Sequence, residues 1–215
     1  LNYTFKNFDI FSNISSGYET PTLNELSATI DQSGFNSDLK SVKSKSFEIG
    51  ISNYQKFTKL KYNIRFFDVR TKNEIIPFES ITGQVIYQNA GKTTKKGVEL
   101  EINAQLNSNF VIDYSLTKGE YKFENFSNEE FDYSENDIAG IPTSFHKLSL
   151  KYSNDKDLNL VISWKKVGKI YANNSNTSLV NGYNLINFNF SKKIFLFGLN
   201  VTPFLAIENL LNEEY

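Results

Sequence analysis

The chain alternates apolar and polar residues in segment after segment, and the longest such segment runs from Gly83 to Leu106. Its second half places Val98, Leu100, Ile102, Ala104 and Leu106 on one side and Glu99, Glu101, Asn103 and Gln105 on the other, the period of a strand with one apolar face. Only the single glycines Gly91 and Gly97 interrupt it. The pattern predicts one strand of about 24 residues, which at roughly 3.3 Å each reaches some 80 Å. Strands of soluble sandwiches usually stop at about 5–6 residues.

The same period predicts eight further strands. The first runs roughly from Tyr3 to Tyr18, with Phe8, Ile10, Ser12 and Ile14 on one face; the second runs from Phe47 to Tyr54; the third carries Leu60, Tyr62, Ile64 and Phe66 and continues less regularly to about Phe78. After the long fourth come Phe110, Ile112, Tyr114 and Leu116 in the fifth, His146, Leu148, Leu150 and Tyr152 in the sixth, and Leu158, Leu160, Ile162 and Trp164 in the seventh. The eighth runs from Tyr183 to Ser191 and the ninth from Phe195 to Glu208.

Short turns near Gln55, Ser108, Asp155 and Lys193 alternate with long connections from Glu19 to Lys43, Asn125 to Pro142 and Asn173 to Asn181, and only the link near Ser80 departs from this order of lengths. Short turns at one end and long loops at the other, joining segments of about ten alternating residues, are the wiring of an outer-membrane β-barrel. A soluble antiparallel sandwich or propeller shares the period but does not accommodate the predicted length of the fourth strand. An odd count of nine implies a sheet that is open at one or both ends, because single-chain bacterial barrels have even counts.

Composition narrows the reading. The 215 residues are 40% hydrophobic and 22% charged with a formal net charge of −1, which argues against a disordered tail and against bulk electrostatic binding of nucleic acid. No cysteine is present, so disulfides, thiolate metal sites and cysteine nucleophiles are excluded. No run of about 18 apolar residues occurs, so no membrane-spanning helix is expected. The chain opens directly on a strand pattern at Leu1 and reads as an internal piece. With 19 Phe and 12 Tyr against 4 Pro, it favours strands. Tyr54, Tyr152, Tyr171 and Tyr183 near strand ends suit an aromatic girdle at headgroup level.

Several runs resemble TonB-dependent outer-membrane receptors. Asn89-Ala90-Gly91-Lys92 followed by Lys96-Gly97-Val98-Glu99 is similar to a characteristic strand of that family. Ser16-Gly17-Tyr18-Glu19-Thr20-Pro21, Asp38-Leu39-Lys40, Ile141-Pro142 with His146-Lys147-Leu148, Val167-Gly168-Lys169-Ile170-Tyr171, Asn181-Gly182-Tyr183 and Ile207-Glu208-Asn209-Leu210-Leu211 follow in the family's order. Ser41-Val42 stands where the family usually has Pro-Glu. The resemblance implies an all-β, antiparallel transmembrane β-barrel fragment, with about nine long meander strands out of about 22. Residues 1–215 would be part of the barrel domain, with the plug domain, the TonB-contacting segment and the last strand lying outside the chain.

The resemblance further implies a non-enzymatic active transporter of the bacterial outer membrane, embedded in lipid. Its partners would be its own plug domain, TonB and a small-molecule ligand, first of all an iron–siderophore complex, with haem, cobalamin and glycans as alternatives; no cofactor is expected. The residues themselves say only which groups are able to meet a ligand. Glu99, Glu101, Asn103, Lys165, Asn187 and Asn189 line the polar wall, while Tyr121, Phe123, Phe126, Phe131 and Tyr133 decorate the loop after the fifth strand, where aromatics could hold a planar or sugar-like ligand. The plainer alternatives are a solvated wall and a loop that packs on itself.

Two rivals belong to other classes. A hydrolase would need a nucleophile and a base in contact; Ser144 and His146, the sole histidine, are two apart on one strand and poorly placed for it. A passive porin or adhesin barrel would lack the plug and TonB-contacting segment. The acidic group Glu129, Glu130, Asp132, Glu135 and Asp137 offers oxygens to a hard cation, but its spacing matches no calcium loop, and a solvated charge run accounts for it.

Overall fold

The computed structural model describes residues 1–29, 34–53, 59–79, 83–127 and 131–215. The strands are β1 (Asn2–Thr4), β2 (Asp9–Glu19), β3 (Val42–Asn53), β4 (Leu60–Lys72), β5 (Ile75–Glu79), β6 (Val85–Asn89), β7 (Lys92–Gln105), β8 (Phe110–Asn125), β9 (Ser144–Ser153), β10 (Leu158–Val167), β11 (Ile170–Tyr171), β12 (Leu179–Val180), β13 (Tyr183–Lys192), β14 (Ile194–Leu196), β15 (Leu199–Val201) and β16 (Phe204–Ile207), with one short helix, α1 (Leu23–Ser27). Ten of them form one antiparallel meander in the order β1-β2-β3-β4-β7-β8-β9-β10-β13-β16, and three two-stranded ribbons, β5-β6, β11-β12 and β14-β15, stand outside it.

Register converts the sequence period into a two-faced wall. Leu60, Ala104, Ile112, Leu150, Ile162, Phe188 and Ile207 stand directly opposite one another across seven strands. Three residues along each strand, and so on the opposite face, Asn63, Glu101, Ser115, Lys147 and Lys165 form a polar row. Because a one-residue slip would exchange the faces of a strand, the agreement across the sheet means that every strand turns its apolar side the same way. Large apolar residues of that side, among them Ile49, Phe66, Leu148 and Ile162, remain exposed. The core of the molecule is elsewhere: Ile76, Ala90, Phe123, Phe126 and Ile138 form a buried cluster among the long loops.

The predicted long strand from Gly83 to Leu106 is two strands. β6 pairs with β5, and β7 pairs with β4 and β8. The break falls at Ala90 and Gly91, where a side chain on Gly91 would come within 2.8 Å of the Asn125 carbonyl oxygen, opposite Asn73 at φ 56. The third predicted strand breaks at the same level, between β4 and β5. Gly97, by contrast, stays inside β7, pressed against Gly119.

Both predicted end strands also divide. Tyr3 to Tyr18 folds back on itself, because Phe5 N–H donates to Phe8 O at 2.8 Å and the two rings stack at 4.6 Å; β1 is therefore a tenth strand. Phe195 to Glu208 becomes the β14-β15 ribbon and β16. Phe197 and Gly198, at φ 50 and 82, supply the tight turn that two positive-φ residues make, and Pro203, which lacks an N–H, separates β15 from β16. The turn at Lys192-Lys193 is thus the start of a ribbon. β3 and β8 extend beyond their predicted apolar segments. The turn at Gln55, Tyr54 and the link at Ser80 lie outside the described residues. α1 was not anticipated, although Thr22 and Glu25 form a capping box, with Thr22 N–H donating to Glu25 Oε2 at 2.7 Å.

Candidate functional site

The polar face carries its charges in cross-strand groups. The Arg65 guanidinium on β4 donates to the Glu99 carboxylate on β7 and lies 3.8 Å from Glu48 on β3. Lower on the wall, Asn103 Nδ2 donates to Asp113 Oδ1 at 2.6 Å and the Lys151 ammonium is 2.8 Å from Asp113 Oδ2. An open trough of about 450 Å³ lies along this part of the wall, lined by Lys61, Glu101, Asn103, Asp113, Lys147 and Lys151 among others.

The predicted wall residues all lie on this face. Register puts Glu101 and Lys165 in one row, and Asn103 and Asn187 in the next. Lys165 Nζ sits 5.5 Å from the centre of the Phe145 ring and 5.8 Å from that of Tyr183, within the range at which an aromatic face attracts a cation. Asn187 Oδ1 accepts the Asn209 N–H at 2.8 Å, tying the chain after β16 to the wall, and Asn189 lines a small hollow beside Val161 and Phe204. Asp113, Lys147 and Lys151 were not singled out as ligand-facing in the sequence, although the strand period puts them on the polar side; register brings them together in this trough, with Arg65 on the same face beyond it. Lys147 and Lys165 stand directly opposite each other.

The loop aromatics are arranged differently. Phe123 and Phe126 are 0% and 3% exposed, and Phe126 packs between Phe123 and Tyr133 with ring centres 4.9 and 5.2 Å away. Tyr121 and Tyr133 pack against the same cluster. In this conformation Phe126 has no surface for a ligand, and only Phe131, stacked on Tyr133, remains exposed. Wall and loop candidates therefore form two groups, not one pocket. A second cleft, of about 420 Å³, lies among the loops between Pro77, Tyr133, Ile138, Asn173 and Asn174.

Side-chain amides lock the loops together. Asp137 N–H donates to Asn176 Oδ1 at 2.7 Å, and Asn176 Nδ2 returns a bond to Asp137 O at 2.8 Å. Asn136 Nδ2 reaches Asn174 O at 2.9 Å. On the other side, Asn89 bonds both Lys40 and Asn73, and Gln84 Nε2 donates to Thr29 O at 3.2 Å. Among the described residues, 20–29 and 34–41 are thus tied to 73–79 and 83–91, and 131–143 to 168–182, and the Ile76–Ile138 cluster joins the two pairs into one cap at the loop end of the sheet.

The acidic candidates do not converge. Asp132 accepts the Ser134 N–H at 2.9 Å, and the Ser134 hydroxyl and N–H hold its carboxyl below the usual range; Asp137 serves the loop lock; Glu129 and Glu130 lie outside the described residues. Among the described residues no group of three or more His, Asp or Glu side chains could hold a metal ion. His146 is on the apolar face, with Nδ1 3.0 Å from the Tyr114 hydroxyl and its ring 5.9 Å from Trp164, an aromatic cluster instead of a catalytic pair.

Residues 1–210 match the family model described as "TonB dependent receptor-like, beta-barrel". Among solved structures, the copper transporter OprC superposes with a TM-score of 0.77 at 16% identity over 99% of this chain and 32% of its own. The ferric-catecholate import receptor Fiu from K12 E. coli superposes with 0.74 at 18% over 99% and 30%. The ferric yersiniabactin uptake receptor FyuA from Yersinia pestis gives 0.71 at 16% over 97% and 30%. The chain spans about a third of the length of these relatives, and the likeness to them is one of fold. With the family model covering nearly the whole chain and an apolar face turned outward on every main strand, this chain belongs to the TonB-dependent receptor β-barrel family of the bacterial outer membrane.

Proposed function

We propose that residues 1–215 are one stretch of the barrel domain of an active outer-membrane transporter, which binds a scarce extracellular ligand and imports it with energy supplied through TonB. The observation that carries this reading is the pairing of an interlocked loop cap with a charged inner wall directly beneath it. A ligand caught among the loops would descend past Glu99, Glu101, Asn103, Lys165, Asn187 and Asn189. The plug domain of the same protein would occupy the wall at rest. An iron–siderophore complex is the ligand class we favour; ferric-siderophore receptors among the structural neighbours support it, and a copper transporter stands beside them.

The test is uptake by cells lacking and then regaining the full-length protein, supplied with ferric siderophores, copper, haem, cobalamin or oligosaccharides, with and without TonB. Iron uptake from a siderophore that needs both the protein and TonB is the expected result. Uptake that ignores TonB would identify a passive porin, and a requirement for another cargo would move the substrate class.

A further inference from the structure

The outward face changes character just beyond its apolar belt. On β3 the outward residues run Ile51, Ile49, Phe47 and then Lys45, Lys43; on β4, Tyr62, Ile64, Phe66 and then Asp68, Arg70, Lys72; on β7, Ile102, Leu100, Val98 and then Lys96, Thr94, Lys92. Register aligns these into rows. Lys45 stands opposite Arg70, and Lys43, Lys72 and Lys92 stand directly opposite one another on three adjacent strands. Like charges in directly opposed positions destabilise a sheet, and a counter-anion seated on the row would relieve that repulsion.

The chain supplies little of one. Arg70 pairs with Asp68 and Lys96 with Glu120, both at 3.1 Å, while Glu124 accepts from the Thr94 hydroxyl and directs its charge at Arg70. Among the described residues, Lys43, Lys45, Lys72 and Lys92 enter no ion pair, and all four are exposed. The inward face at the same height is different in kind: Ser44, Ser46, Val69, Thr71 and Thr93 are uncharged there, and Lys95 is held 2.6 Å from Glu74. Positive charge is thus concentrated on the side that faces out, continuous with the surface that meets hydrocarbon, and at the end carrying the long loops. In barrels of this wiring the long loops are extracellular.

We propose that Lys43, Lys72 and Lys92, with Lys45 and Arg70 behind them, dock the phosphate groups of lipid headgroups in the outer leaflet. The ammonium groups project at the level where headgroups begin, and anionic headgroup phosphates would neutralise the row. The surface is independent of the transported ligand.

The test measures binding of the full-length protein in phosphatidylcholine nanodiscs to bisphosphorylated lipid A and to the same lipid A dephosphorylated. The expected result is a preference for the phosphorylated form that weakens with salt and falls roughly a hundredfold in K43Q/K72Q/K92Q, at about fivefold for each lysine removed near a charged bilayer surface. Heat-modifiable migration reports folding, and K43R/K72R/K92R retains the charge and should retain binding. K156Q/K192Q/K193Q, which removes as much charge from the turn end, should bind as the parent does. Equal binding of the dephosphorylated lipid, an unchanged affinity in K43Q/K72Q/K92Q, an equal loss in the turn-end variant, or displacement by equimolar inorganic phosphate would each overturn the proposal, the last by assigning the row to free phosphate.

Discussion

The Lys40 backbone N–H donates to Asn89 Oδ1 at 2.7 Å, and Asn89 Nδ2 donates back to the Lys40 carbonyl at 2.9 Å. Residues 49 apart in sequence are joined in this way as if they were neighbours in a ladder. Asn89 Nδ2 also donates to Asn73 O at 2.8 Å, so one side chain serves the loop before β3 and both sides of the break between β4-β7 and β5-β6. Replacing Asn89 with Ala should loosen the amides of residues 36–41 and 85–89 by roughly tenfold in hydrogen exchange, on the scale of about 0.5–1.5 kcal/mol for an ordinary hydrogen bond, since the two bonds to Lys40 are exposed and the one to Asn73 is half-buried. Asn89→Asp keeps the acceptor for Lys40 N–H and loses both donated bonds, and should fall between.

Arg65 is the centre of a three-strand charge group. In Arg65→Met the Glu48 and Glu99 carboxylates are left without their cation, and unfolding in urea should show a loss of about 1–2 kcal/mol, discounted for the partial exposure of all three groups. Adding Glu99→Gln should recover part of it. Strict additivity of the two substitutions would mean that the pair is not coupled.

Gly97→Val would bring a Cβ to 2.3 Å from the Lys118 carbonyl oxygen and 2.8 Å from Gly119 Cα. Backbone atoms cannot rotate away, so the strands must separate, at about 1–3 kcal/mol or more. Gly34→Ala, with φ 72 and no atom within 4 Å, strains only its own backbone by about 1–2 kcal/mol. The urea midpoint of the membrane-embedded protein should fall further for Gly97→Val.

Phe123→Ala removes the most enclosed ring of the loop cluster. A cavity there should cost about 3–5 kcal/mol of local stability. Proteolysis should then cut within residues 126–143 while the sheet stays intact, and ligand affinity should fall. Unchanged loop protection would show that the amide locks suffice without the cluster.

His146→Ala should leave uptake unchanged, since the ring lies among Tyr114 and Trp164 on the outward face. Loss of a hydrolytic activity in this variant would revive the catalytic reading.

What the sequence determined by itself is the two-faced wall, because a period of two leaves no choice of which residues share a side of a strand. Val98, Leu100 and Ile102 had to face away from Glu99, Glu101 and Asn103. Long loops and short turns could likewise be read from Gly, Pro, Asn and Asp content, and the barrel from both together. The capping box of α1, and the Phe197-Gly198 and Pro203 signals near the end, were also present in the residues.

Tertiary structure alone decided the rest, since period says nothing about which strand lies opposite which. The break at Ala90 to Gly91 lies where the chain is pressed against Asn125, 34 positions on from Gly91. Phe126 looked like a loop aromatic free to meet a ligand; packing against Phe123 and Tyr133 made it part of a core. The trough beside Asp113 and the row of Lys43, Lys72 and Lys92 draw residues from strands as much as 90 positions apart. Their charges meet only because hydrogen-bond register brings distant segments level, and no local property of the chain encodes that alignment.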